Sequence, residues 1–398
     1  MKTNIIHSIA VCLAALALPF MVACSSQEAP MPEPISEATL YMNIEQIGNT
    51  RAGTSSIPDN EKMHNVRIIV LHSDGTIEHN RLYPLNTPQE QKYIILKVKP
   101  DEKKRIFLFA NENNVSAVEG IDGGSKTLTD FFDGYTADAP GFENAVNGLY
   151  FAPDYSGGKP IPMSSMYEID FPKNDNFEGT FYVVRVATKF TINFLNWRGE
   201  EVTVEKFSIS SYADKNFLMA HVNDSEQNST LFKGKSWIDW LKEVSDASNE
   251  NGGSTATETS EWLKDYELPS QANQANTYTH GSVVVGRPTV NIDNPGASKP
   301  GVAKEIPVFY LPESKNGKAE TTDGEQEYAM TIKIGGKDEP FVFKLPNLKA
   351  LFRNTHVVVN ITMYHNHKIE VDVIPYSEVV LDPAFGVEIE EETQTGKE

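Results

Sequence analysis

One cysteine near the N-terminus stands in a pattern that predicts covalent chemistry. Cys24 ends the run MVAC, which follows Lys2 and an apolar stretch over residues 9–20. This arrangement is typical of a secretion signal over residues 1–23. The run resembles a bacterial lipobox, with Met21 in place of the usual Leu, so we expect cleavage before Cys24 and lipidation of its thiol, palmitate included. An ordinary signal with an incidental cysteine is the alternative, and the polar stretch CSSQE after the cleavage point favours lipidation.

A second position that chemistry could change lies about thirty residues on. Arg51 precedes Ala52 in the polar segment GNTRAGTSS, where a protease that cuts after arginine would find exposed chain. The preceding run TLYMNIE alternates, with Leu40, Met42 and Ile44 on one side, which is the period of a half-buried strand. Arg51 on its own could be an ordinary loop residue. Its position between this strand and the globular body favours a cleavage site.

The sequence offers no catalytic or metal-binding constellation that stands out. His365 and His367 fall in the turn-like run YHNHK without a third ligand at a recognisable spacing. The run DFFDGYTADAP lacks the ligand positions and the closing Glu of a calcium loop. None of the nucleophile, phosphate-loop, zinc-protease or dinucleotide motifs occurs. We therefore expect a protein that is not an enzyme and needs no cofactor or metal.

Charge and cysteine content exclude several classes of protein. The formal net charge is −20, so little is available to neutralise the phosphates of a nucleic acid or of an anionic lipid surface. The two cysteines, Cys12 and Cys24, both lie in the first 24 residues, which excludes a disulfide framework in the body. After the signal no segment reaches the about 18 apolar residues of a spanning helix. The lipid on Cys24 is therefore the membrane attachment that we expect.

The body reads as mainly β, organised as two domains. Short strand-like runs bounded by Gly, Pro and Asn recur from residue 66 onward, beginning with the hairpin signal VRIIVLHSDGTIEHN. We place the N-terminal domain at 52–180 and the C-terminal domain at 181–398. Few helices are expected: one in SKTLTDFFDGY, capped by Ser125 or Thr127, and one in SWIDWLKEV.

Several local patterns, taken in order, resemble the fimbrillin superfamily of fimbrium subunits of Gram-negative anaerobes. They are the lipobox with NTRAG after it, VRIIVLHSDGTI followed by RIFLFANE, IPMSS, VVRVATKF, FYLPE, and LFRNTHVVVNITMY leading to IEVDVIPY. The resemblance covers nearly the whole chain. Tyr376 departs from it, since many relatives have Trp after the Pro.

The resemblance implies two tandem transthyretin-like β-sandwich domains and a route of assembly. Export as an outer-membrane lipoprotein would be followed by cleavage between Arg51 and Ala52 by an arginine-specific protease. That cut would release the propeptide 24–51 with its first strand, and other fimbrium subunits would then join the mature chain by strand donation. The mature protein would stand in a cell-surface fimbrium and mediate adhesion to a receptor that the sequence does not identify.

The strand donor and the role of the protein each leave alternatives. The segment 378–390, within the run SEVVLDPAFGVEIEEE, is the candidate donor through Val379, Leu381, Val387 and Ile389, or else it closes the sheet of its own domain. A different hypothesis is an anchored surface lipoprotein of a nutrient-uptake system that binds glycans. That hypothesis would need exposed Trp237 and Trp240, whose helical spacing with Leu241 is more typical of a buried helix face.

Overall fold

The structure is a computed structural model, and it describes most of the chain beyond the first strand. The described residues are 37–46, 57–120, 125–173, 175–224, 228–231, 266–267, 276–315, 328–345, 348, 350–366 and 368–374. All described residues belong to one compact unit. Among the described residues, no helix is both long and apolar enough to cross a bilayer.

Within its described residues, the N-terminal half contains eight strands and two short α-helices. The strands are β1 (Ala38–Gln46), β2 (Met63–Leu71), β3 (Ile77–Gln89), β4 (Gln91–Val98), β5 (Lys103–Ala110), β6 (Tyr150–Phe151), β7 (Met163–Asp170) and β8 (Phe177–Arg185). The helices are α1 (Leu128–Asp133) and α2 (Phe142–Asn147). The hydroxyl of Thr127 accepts a hydrogen bond from Asp130 N at 3.0 Å, which confirms Thr127 as the cap of α1.

Seven of these strands form one sheet that folds over itself into a sandwich. Their order is β3-β2-β5-β7-β8-β1-β4. The contact between β7 and β8 is limited to the pairs Met163–Arg185 and Ser164–Val184, so the sheet turns a corner there. Apolar residues of β1, β4 and β8 pack in one cluster with those of β2, β5 and β7. The layer β8-β1-β4 therefore faces the layer β3-β2-β5-β7 across a common core.

The strands β2 and β5 are buried on both faces. Ile68 and Leu108 point into the core of the sandwich, whereas their neighbours Ile69 and Phe107 pack with α1 and α2 on the opposite face. A strand covered on both sides has no polar face, which explains the continuous apolar runs IIVL in β2 and IFLF in β5.

The C-terminal half is a second two-layer sandwich. Its strands are β9 (Thr188–Asn196), β10 (Val202–Tyr212), β11 (Asn216–Phe217), β12 (His221–Asp224), β13 (Asn228–Leu231), β14 (Tyr266–Glu267), β15 (Asn276–His280), β16 (Val283–Val285), β17 (Gly301–Val302), β18 (Val308–Leu311), β19 (Ser314–Lys315), β20 (Ala329–Ile334), β21 (Phe341–Lys344), β22 (Ala350–Leu351), β23 (Thr355–Met363) and β24 (Ile369–Ile374). One layer is β15-β10-β20-β21 with β16 beside β10, and the other is β17-β9-β23-β24 with β18 beside β9. Alternate residues of β9, β10, β20 and β23 fill the core between the layers.

The two sandwiches meet at a short connection between β8 and β9. The apolar run YVVRVATKFTINFLN contributes to both, because β8 ends at Arg185 and β9 begins at Thr188. The chain changes sheets at Val186 and Ala187, so the expected boundary at residue 180 falls inside β8.

Buried polar groups fix this junction. Arg353 is 1% exposed on its side chain, pairs with the equally buried Glu313, and donates to Ser164 Oγ at 3.2 Å and Leu218 O at 3.1 Å. On the other side of the junction, Glu61 is the shared partner of Lys189, at 2.9 Å, and of the Tyr310 hydroxyl, at 2.6 Å. Burial alone would raise the pKa of Glu61, but the charges of Arg185 and Lys189 lower it below its usual value.

Candidate functional site

The most informative site in the N-terminal sandwich is the place that β1 occupies. β1 is the middle strand of the layer β8-β1-β4. It runs antiparallel to β4, from the pair Ala38–Val98 to the pair Glu45–Gln91. It runs parallel to β8, from the pair Leu40–Phe177 to the pair Gln46–Val183. Both edges of its backbone are therefore used in hydrogen-bonded ladders.

The inward face of β1 is completely buried. Leu40, Met42 and Ile44 are each 0% exposed and pack into the core of the sandwich. Fully burying one such side chain contributes about 1.5–3 kcal/mol relative to leaving it in water. β1 is thus part of the core, although it is the first described strand in the sequence.

Without β1, the layer would lose its continuity. β4 and β8 are neighbours of β1 in the sheet order and are not paired with each other. Removing β1 would therefore leave one ladder edge of β4 and one of β8 unpaired, with an apolar groove between them. An open edge of this kind is a template for another strand.

Aromatic rings of β7 and β8 line the groove beneath β1. Phe177 and Phe181 lie on the inward face of β8 with ring centroids 6.3 Å apart. Tyr167 packs edge-on against Phe181, with centroids 5.1 Å apart. Its hydroxyl accepts from Tyr182 N at 2.7 Å and donates to Tyr182 O at 2.9 Å, which bridges the corner where the β7–β8 ladder stops. Burial raises the pKa of Tyr167, so the phenol stays protonated.

The outward face of β1 is joined to its neighbours by polar side chains. Gln91 donates to Asn43 Oδ1 at 2.8 Å, and Lys97 donates to Thr39 Oγ1 at 2.6 Å. On the β8 side, Asn176 Oδ1 accepts from Thr39 N at 2.8 Å. A strand that occupies this position is therefore recognised on its apolar face by the core and on its other face by hydrogen bonds.

Sequence reasoning did not anticipate the polar partners or Tyr167. The alternation of apolar residues in FEGTFYV could have indicated Phe177 and Phe181 as one wall of a groove. No signal in the sequence connects Tyr167 with the backbone of Tyr182.

The other predicted site residues lie outside the described part of the chain. These are Cys24, Arg51, Ala52, Val379, Leu381, Val387 and Ile389. Trp237 and Trp240 lie outside it as well. His365 is described: it is exposed and lies in the turn between β23 and β24.

One cluster in the N-terminal sandwich has metal-ligating side chains. His72, Glu78 and Glu102 bring their ligand atoms within 4.8 Å of one another. The ammonium group of Lys104, 0% exposed on its side chain, pairs with both carboxylates. Burial would raise the pKa of Glu102, but His72 and Lys104 lower it to about 2. Lys104 thus supplies the positive charge that a metal would bring, and the cluster is an ion-pair network of three half-buried side chains around a buried ammonium group.

Comparisons with known proteins give likeness at the level of structure. No protein-family model and no curated protein sequence matches the chain. Among solved structures, the chain is similar to a candidate cell adhesion protein from Parabacteroides distasonis ATCC 8503, with 12% identity, a TM-score of 0.48, and coverage of 87% of this chain and 99% of that chain. It is also similar to the tip fimbrial protein Mfa3 from Porphyromonas gingivalis, with 12% identity, a TM-score of 0.45, and coverage of 85% and 99%. A fimbrial assembly protein from Parabacteroides distasonis ATCC 8503 shows 12% identity, a TM-score of 0.43, and coverage of 85% and 94%. At these identities the function has to be inferred from the chain's own residues.

Proposed function

We propose that the protein is a structural subunit of a cell-surface fimbrium that takes part in adhesion. In this proposal it is exported as a lipoprotein through Cys24 and cut between Arg51 and Ala52. The first strand β1 then leaves its groove, and a strand of another subunit takes its place.

The observation that carries the proposal is the position of β1 in the sandwich. β1 is a central, fully paired strand with a buried apolar face, and it lies on the N-terminal side of the predicted cut. A terminal strand that could be lost without consequence would lie at an edge of the sheet. Cutting after β1 instead separates part of the core from the remainder of the chain.

Cleavage would change the competition for the groove. While β1 is covalently attached, its effective concentration at the groove is set by a short linker and is on the order of millimolar. After the cut, β1 can dissociate and be diluted, whereas a donor strand at high local concentration can bind. The uncut chain therefore suppresses premature assembly, and the cut permits it.

A replacement strand would use the same contacts as β1. It would pair with the free edges of β4 and β8 by β-augmentation, and its alternate apolar residues would enter the core. We propose residues 378–390 of a neighbouring subunit as this donor, with Val379, Leu381, Val387 and Ile389 supplying apolar groups. Since the chain is acidic, with a net charge of −20, subunit contact would depend on main-chain pairing and apolar insertion.

Limited proteolysis of the purified precursor tests this proposal. A trypsin-like protease should produce a fragment that begins at Ala52, followed by oligomers that survive mild detergent. The matched control is Arg51→Ala, which should remain uncut at this position and monomeric. Excess synthetic peptide of residues 37–46 should keep the cut wild-type protein monomeric by occupying the groove.

The possible outcomes separate cutting from assembly. A cut at Ala52 without oligomers, even when the peptide is washed away, would contradict strand replacement and leave processing intact. Oligomers formed equally well by Arg51→Ala would contradict the role of the cut.

A further inference from the structure

A cleft of about 660 Å³ lies at the junction of the two sandwiches, lined by neither β1, β4 nor β8. One side is formed by the loop 153–158 with Pro58 and Asn60 of the N-terminal half. The other side is formed by residues of β9, β10, β15 and β18 and by Asp214. The volume falls within the range of pockets that hold small ligands. Its function would be independent of strand replacement, because it shares no lining strand with the groove.

A rigid aromatic wall forms one side of the cleft. Phe309 stacks between Phe190 and Tyr278, with ring centroids 5.2 Å and 3.9 Å apart and planes within 10°. Phe190 and Phe309 are buried, whereas Tyr278 is half-buried and lines the cleft. The stack therefore holds Tyr278 in place before any ligand arrives.

Two further tyrosines line the cleft and are fixed by their hydroxyl groups. Tyr155 and Tyr310 pack edge to face with centroids 6.2 Å apart. Tyr155 donates to the carbonyl of Val186, and Tyr310 donates to Glu61 Oε1 at 2.6 Å. Their hydroxyls are committed to the junction, so these residues shape the wall of the cleft.

Three polar groups of the lining lack hydrogen bonds of this kind within the described part of the chain. Within the described part of the chain, the hydroxyls of Tyr212 and Tyr278 have no hydrogen-bond partner. Asp214 lines the cleft as well, and its Oδ1 is shielded from solvent without a hydrogen-bond partner in that part of the chain.

The other charged residues of the lining are already neutralised. Lys189 pairs with Glu61 at 2.9 Å, and Asp154 pairs with Lys159. Asp154 also accepts from Ser156 N at 3.0 Å, which shapes the loop. The cleft therefore presents a flat aromatic face, two hydroxyls and one carboxylate, that of Asp214, whose charge is not paired among the described residues.

We infer that this cleft binds a short neutral saccharide. A sugar ring has a flat face of weakly positive C–H groups, which suits the negative face of an aromatic ring such as that of Tyr278. Its edge carries hydroxyls that can donate to Asp214 and exchange hydrogen bonds with Tyr212. An organic cation would use the aromatic ring and the carboxylate, but it would leave the two tyrosine hydroxyls unsatisfied and would lie near Lys189.

Saturation-transfer difference NMR on the full-length precursor tests the inference. The probes are mannobiose, lactose, cellobiose and N,N′-diacetylchitobiose, with choline and arginine methyl ester as cationic probes. At least one disaccharide should receive saturation, and titration then gives its dissociation constant.

Substitutions in the cleft should weaken that binding in a graded way. Tyr278→Ala should abolish it, Tyr212→Phe should weaken it about 2- to 12-fold through loss of one neutral hydrogen bond, and Asp214→Asn should weaken it about tenfold or more. Tyr93→Ala is the matched control, because Tyr93 lies on β4 and is 50% exposed. Tyr278→Phe keeps the aromatic stack, so a folding defect in Tyr278→Ala would not obscure the result.

Three outcomes would overturn the inference. They are no saturation of any disaccharide, disaccharide binding that is unchanged in Tyr212→Phe, Tyr278→Phe and Asp214→Asn, and binding of a cationic probe alone. Arg51→Ala precursor should bind the same disaccharide as the wild type, so failure here is distinguishable from failure of strand replacement.

Discussion

The complete burial of Met42 makes a quantitative prediction about the groove. Met42 is 0% exposed and packs in the core between β4 and β8. Truncating a buried Met to Ala costs about 2–5 kcal/mol, because transfer free energy and core contacts are both lost. For a peptide of residues 37–46 that binds the vacated groove, Met42→Ala should therefore raise the dissociation constant by about 30-fold to several thousand-fold.

Competition on the cut protein measures this effect without requiring a new variant to fold. The precursor is cut after Arg51, its own β1 is displaced by fluorescently labelled peptide 37–46, and polarisation follows the exchange with unlabelled peptides. The control peptide is Asn43→Ala, which changes the outward face of the same strand. It loses the 2.8 Å hydrogen bond from Gln91, worth about 0.5–1.5 kcal/mol, and should weaken binding only about 2- to 12-fold.

The relative affinities of the two variant peptides show whether the groove selects the buried face of β1. Equal affinities for the wild-type and Met42→Ala peptides would show that the groove does not select the buried face of β1. A larger loss for Asn43→Ala than for Met42→Ala would reverse the assignment of inward and outward faces. Either result would refute the energetic reasoning behind strand replacement.

Three other substitutions test the buried polar groups by urea denaturation of the precursor. Arg353→Met should lower the free energy of unfolding by about 3–5 kcal/mol, because it leaves Glu313 buried without its cation. The control is the conservative exchange Arg198→Lys at a half-buried position, which should lower it much less. Tyr167→Phe should cost about 1–3 kcal/mol, since the buried N–H and C=O of Tyr182 lose their shared partner, and a cost near zero would contradict the bridging role. Glu102→Gln should make the free energy of unfolding depend less on pH in acid. The fold lowers the pKa of Glu102 from 4.5 to about 2, so the ionised carboxylate stabilises the protein above pH 4.5 and this stabilisation is lost as the pH falls toward 2. An unchanged slope of stability against pH between pH 5 and 3 would contradict this.

Elements with one clear period could be predicted from the sequence. The alternation of Leu40, Met42 and Ile44 predicts a strand because only one face of β1 enters the core. The turn around Asp74 and Gly75 predicts the β2–β3 hairpin, in which Val66 pairs with Tyr83, and the structure confirms it. Both predictions depend on neighbours in sequence, which a local pattern can report.

Pairing between distant strands could not be predicted in the same way. β4 and β5 are consecutive in sequence, yet they lie in opposite layers of the sandwich. The run that contains β8 and β9 is continuous in sequence, yet its two strands serve different sheets. Periodicity states which face of a strand is apolar, but it does not state which strand covers that face.

The buried cations were also beyond the sequence. Lys104 and Arg353 are of residue types that are usually exposed, and their burial depends on carboxylates that only the fold brings within reach. A lysine or arginine is almost never fully buried without a partner. Glu313 precedes Arg353 by 40 residues, and no local pattern links them.

The parallel pairing of β1 with β8 has a consequence for the timing of folding. Their contacting residues are 137 positions apart, as in the hydrogen bond between Thr39 and Asn176. A chain made from its N-terminus presents β1 long before β8 exists, and closing so long a loop is slow compared with forming a hairpin. β1 can pair with β4 early, but its ladder with β8 is among the last to form, so the middle position of the layer β8-β1-β4 is completed only once β8 has been made.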